Sequence, residues 1–98
     1  MVLVYSLMKK ITKQAVLNDI KDLERLHDGV PFGNILWAND EYRSVMAQRV
    51  SYEEKKKVVD VISDQIQDQL DKLAGEGRII KTIPQKGYGK IRYYVKED

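Results

Sequence analysis

Few residues in this chain are able to carry acid–base, nucleophilic or metal chemistry. Its 98 residues include no cysteine and one histidine, His27. Without thiols there is no disulfide, no zinc–cysteine site and no cysteine nucleophile, which fits an intracellular, cytoplasmic setting. His27 falls at the end of a predicted helix, where the helix dipole favours a protonated imidazole, so a structural role is expected. No second histidine and no carboxylate pair in a cleft-like motif is present. A nucleophile–base–orienter set or a metal-ligand set therefore cannot be assembled. Gly87-Tyr88-Gly89 lacks the third glycine and the strand-then-helix context of a phosphate loop, and reads as a hairpin tip. The expectation is a protein that is not an enzyme, with no catalytic residue, no metal and no cofactor.

The chain concentrates positive charge instead. Net charge is only +2, but residues 75–98 hold six cations and three acids, whereas residues 51–74 hold four cations and six acids. Between Gly77 and Arg92 stand Arg78, Lys81, Lys86, Lys90 and Arg92 with no acid among them. Such a stretch is the footprint expected where a phosphate backbone would lie. The plainer reading is that lysines keep exposed strand edges soluble.

The elements that would position these groups follow from periodicity. Ile11, Ala15, Val16, Ile20, Leu23 and Leu26 recur at helical spacing over residues 11–27, with Leu17 flanking and Thr12 as candidate N-cap. Asp28-Gly29 and Pro31 stop that helix, and residues 30–32 are long enough for one brief strand. A second helix is predicted over 34–49, weakened by Ala-Asn-Asp-Glu in its middle, where a break is anticipated. Its tryptophan, Trp37, is assigned to the core by default and to an exposed partner contact as the alternative. Ser51-Tyr-Glu-Glu54 matches a capping box. The apolar seam Tyr52, Val58, Val59, Ile62, Ile66, Leu70 and Leu73 then predicts one unbroken third helix over 51–74, roughly 35 Å long. A break at Ser63-Asp64 is the alternative. Residues 78–95 read as a two-stranded hairpin, with Ile91, Tyr93 and Val95 on one face and Arg92 pointing from the other.

The fold class is thus α+β in one domain of three main helices, a short strand and a C-terminal hairpin. That order, with Ile66, Leu70, Leu73, Gly77 and Ile79/Ile80 in the spacing that ends a helix and begins a strand, resembles the winged helix-turn-helix superfamily over about residues 12–95. The long helix is similar to winged-helix domains of archaeal replication initiators and archaeal viral proteins. The resemblance implies binding of double-stranded DNA by a small transcription or replication regulator, nucleoid-associated when bound. By the same resemblance Lys86 and Lys90 are phosphate contacts and Tyr88 a sugar or backbone contact, with Arg78, Lys81 and Arg92 on the same hairpin.

The outer face of the third helix departs from that pattern. Glu53, Lys57, Asp60, Asp64 and Asp71 lie opposite the seam, with Asp68 to one side. A duplex carries one negative charge per about 1.7 Å, so this face suits DNA only at its first turns, through Lys55, Lys56 and Lys57. The alternatives are contact through the hairpin alone, or a winged helix that binds protein and not DNA. A homodimer is expected, since paired half-sites raise affinity. The apolar arm of residues 1–10 either packs on the domain or forms the dimer contact. It is too short to span a bilayer and has the wrong charge order for a signal peptide, so no membrane association is expected.

Overall fold

The computed structural model describes residues 10–84 and 89–96. In chain order the elements are α1 (Lys13–Leu23), β1 (Val30–Pro31), α2 (Phe32–Ala38), α3 (Asp40–Ala47), α4 (Tyr52–Gly75), β2 (Ile79–Thr82) and β3 (Arg92–Val95). The class is α+β. The described residues hold four helices where three were expected, and β1 joins the hairpin to make a three-stranded antiparallel sheet of order β1-β3-β2. The expected N-terminal arm and the hairpin tip at residues 85–88 lie largely outside the described residues.

α4 runs for 24 residues because its seam never lapses. Val58, Ile62, Ile66, Leu70 and Leu73 are all buried, against Val16, Leu17 and Ile20 of α1 and Ile79 and Tyr93 of the sheet in one core cluster. Each such side chain contributes on the order of 2 kcal/mol on burial. The Ser51 hydroxyl accepts the Glu54 N–H at 3.2 Å, capping the start. At the other end Gly77, at φ 74°, turns the chain out. The Gly77 N–H reaches the Ala74 carbonyl at 3.1 Å and the Arg78 N–H reaches that of Leu73 at 3.0 Å, which satisfies two orphan carbonyls and aims β2. Tyr52, assigned to the seam by spacing, is 76% exposed, since burial begins only at Val58.

The helix expected over 34–49 is two. Asn39 sits between them with extended backbone (φ −80°, ψ 125°), and its side chain accepts the Tyr42 N–H at 2.8 Å. Asn-Asp-Glu is a helix start: a capping side chain followed by two acids at the positive end of the dipole. Trp37, expected in the core, is 56% exposed at the end of the short α2 and packs edge-on against Tyr42, with ring centres 5.1 Å apart.

α1 begins as its sequence requires, the Thr12 hydroxyl accepting the Ala15 N–H at 3.1 Å. Regular helix ends at Leu23, not at His27, and the Leu26 and His27 N–H groups both turn back to the Leu23 carbonyl. Beyond Leu23 there is no core to cover; Leu26 is exposed, and Ala15 is exposed as well. Glu24 instead reaches across, its carboxylate accepting the Val95 N–H at 2.6 Å and closing the edge of β3 where β1 runs out. Two glutamines of α4 hold the entry to α1: Gln69 Nε2 donates to the Ile11 carbonyl at 3.3 Å, and Gln65 Oε1 accepts the Ile11 N–H at 3.5 Å.

Candidate nucleic-acid interface

The hairpin register sorts its residues onto two faces. Ile79 opposes Val95 and Lys81 opposes Tyr93 on the side that meets α4, where Gln67 Nε2 donates to the Tyr93 hydroxyl at 3.3 Å. Ile80 opposes Tyr94 and Thr82 opposes Arg92 on the outer side. The Lys96 N–H bonds to the Arg78 carbonyl at 3.0 Å, so the ladder extends one pair beyond β3 and sets Arg78 opposite Lys96 on that outer side. Lys96 escaped the sequence reading, which ended the strand at Val95; continuing the register by one residue would have found it.

The nine residues singled out as DNA contacts have different fates. Lys81 and Lys90 are exposed and have no ion pair among the described residues. Lys86 and Tyr88 lie outside the described residues. Arg92 does not project freely: its Nη1 donates to the carbonyls of Asp28 at 3.3 Å and Gly29 at 3.2 Å, tying the hairpin to the turn before β1. Arg78 stands 3.8 Å from Glu76. Glu76 is held mainly by Lys13, whose hydrogen bond keeps the carboxyl below its ordinary value.

The three lysines in the first turns of α4 are largely engaged within the molecule. Lys55 Nζ donates to the Met46 carbonyl at 2.9 Å, near the last turn of α3, where a cation complements the dipole. Lys56 pairs with Asp60 at 3.0 Å, and that hydrogen bond holds its ammonium above the ordinary value. Lys57 alone is exposed without a pair among the described residues. Lys57 is ten residues from Gln67, about 15 Å along the helix, with Asp60 and Asp64 in between. The register therefore divides the hairpin cations, with Lys81 on the α4-facing side and Arg78 and Arg92 on the outer side, and leaves the α4 lysines as a separate group. Lys72 pairs with Asp68 at 3.1 Å, and Asp71 accepts from Gln67 at 3.1 Å, so part of the acidic stripe is neutralised along its own helix.

Two titratable groups complete the picture. Asn34 Nδ2 lies 3.0 Å from His27 Nε2, a structural contact joining the end of the first turn region to α2. Asp19, on α1, faces the α2–α3 junction in a groove lined also by Ile11, Asn39 and Asp40. Burial, then the Asp22 and Asp40 carboxylates, raise it to about 6, against the pull of Arg43. Arg43 itself pairs with Asp40.

Among the described residues no three His, Cys, Asp or Glu come together as metal ligands, and no helix is long and apolar enough to cross a membrane. The chain matches no protein-family model, no curated protein and no solved structure.

Proposed function

We propose that this chain is a winged helix-turn-helix domain that binds double-stranded DNA through its hairpin, in a binding and not a catalytic role. The supporting observation is the hairpin itself. It leaves α4 through a fixed turn at Gly77 and carries Lys81 and Lys90 in solvent with no carboxylate in salt-bridge range among the described residues. The order helix, strand, helices, long helix, hairpin, with β1 added to the hairpin as a third strand, supports the same reading. Contacts of this kind are to phosphate and carry affinity without base preference. Lys57 adds one contact at the start of α4, and a transcription or replication role in the cytoplasm, as a homodimer, follows from the same reading.

Fluorescence anisotropy with a labelled duplex of about three helical turns tests it. Affinity should be micromolar or tighter and fall on the order of a hundredfold between about 50 and 200 mM salt, as about four phosphate contacts would give. Absence of binding at low salt would favour a winged helix that contacts protein. That second reading draws on the exposed Trp37 and on Asp64 of the acidic stripe, exposed with no ion pair among the described residues.

A further inference from the structure

The outer face of the sheet is a surface of a different kind from the α4-facing side. Arg92 and Tyr94 stand two apart on β3, and both are locked to the same turn. Arg92 Nη1 bonds to the Asp28 and Gly29 carbonyls, and the Tyr94 hydroxyl bonds to the Asp28 carbonyl at 3.4 Å. The Tyr94 ring lies across Gly29, where a Cβ would come within 2.6 Å of it. Ile80, opposite Tyr94, is 47% exposed although it sits mid-strand. At one end Arg78 and Lys96 oppose each other directly, a like-charge pairing that destabilises a sheet. Glu76 offsets it only at 3.8 Å from Arg78 and is itself held by Lys13.

A flat, pre-fixed aromatic and aliphatic centre between clustered cations is the composition that binds an unpaired nucleic-acid strand. Bases stack on the ring while the cations follow the phosphates. A duplex hides its base faces and offers this centre nothing to cover. An acidic peptide would answer the cations but not the Tyr94 and Ile80 surface. We propose that the outer sheet face, through Arg78, Ile80, Arg92, Tyr94 and Lys96, binds single-stranded nucleic acid. This site is on the opposite side of the sheet from Lys81 and does not depend on its duplex contact.

The test is anisotropy of the whole chain with a labelled oligothymidine and, in parallel, the labelled duplex. The R78E/K96E variant should lose the single strand roughly tenfold or more while holding the duplex within about twofold. Y94L should weaken the single strand roughly tenfold, the share of one stacked base. K81E should do the reverse of R78E/K96E, and circular dichroism of each variant checks that it is folded. An oligothymidine that does not bind wild type at low salt would overturn the inference. So would an R78E/K96E variant that binds it normally, or one that loses both ligands equally, since the surface would then be shared. Polyglutamate competing as well as unlabelled oligothymidine would also overturn it, by showing that charge alone is read.

Discussion

The hairpin and the first turns of α4 carry the same residue type, and their lysines meet different ends. On α4 a lysine finds an acid four residues on, as Lys56 finds Asp60, or a helix terminus close by, as Lys55 finds the Met46 carbonyl. On a strand the same-face neighbours are two residues apart and across the ladder: for Lys81 they are Ile79, Ile83 and Tyr93, and for Lys90 the next is Arg92. Lys81 and Lys90 therefore keep their charge available, while most of the α4 charge serves the fold. A run of basic residues in a sequence is thus a poor guide until the period of its element is known.

The contrast can be broken most directly by charge reversal. K81E/K90E should lower duplex affinity on the order of a hundredfold, uniformly across sequences, while K55E/K56E should lower it less than about tenfold; anisotropy at one fixed salt measures both. Equal losses would erase the distinction between the two regions. Next in size is the foundation of the hairpin. G29A places a methyl in the Tyr94 ring at a φ of 80°, and should destabilise the protein by about 2 kcal/mol or more in urea unfolding.

On the helical side Asp19 supplies a smaller effect with a definite pH signature. Its carboxyl is raised from 3.8 to about 6 in the fold, so the folded state binds the proton more tightly than the unfolded chain. Stability is therefore highest when Asp19 is protonated, falls as pH rises from about 4 to 6, and stays lowered above that. D19N should be more stable than wild type at pH 7 by about 1 kcal/mol, the half-exposed site being screened by solvent, and should lose that advantage near pH 4. A D19N advantage independent of pH would point to packing instead. Smallest are the lysines themselves: K55A should cost about 0.5–1 kcal/mol through the lost bond to Met46, and K56Q, at an exposed pair, less still.

How far the sequence carried the fold depended on the range of the interactions. α4 was legible because its signals are local: a serine cap, a seam at helical spacing and a glycine stop. Even there the Ser51–Glu54 motif is realised by half, for Glu54 Oε2 is buried without a hydrogen-bond partner among the described residues. The split at Asn39 was signalled by Asn-Asp-Glu, where a break is anticipated, although the apolar residues on either side continue at helical spacing. Trp37, Leu26 and Tyr52 were misplaced because periodicity ranks faces and cannot say where the opposing element ends. Arg92 was read as a free cation because its partners, Asp28 and Gly29, lie more than sixty positions away. That Lys81 and Lys90 stand exposed was legible from their place in the hairpin. That Lys55 and Lys56 are engaged elsewhere was not, although the Asp60 four residues after Lys56 was in plain view.

The turn at Gly77 has a mechanical consequence. Because the Gly77 and Arg78 N–H groups are both latched to the last turn of α4, helix and hairpin form one rigid angle piece, and the length of α4 becomes a ruler between Lys57 and the hairpin. Each residue of that ruler advances the far end by about 1.5 Å and swings it by about 100°. A surface that touched both ends would tolerate a helix lengthened by one full turn far better than one lengthened by half a turn, since only the former keeps the two ends facing the same way.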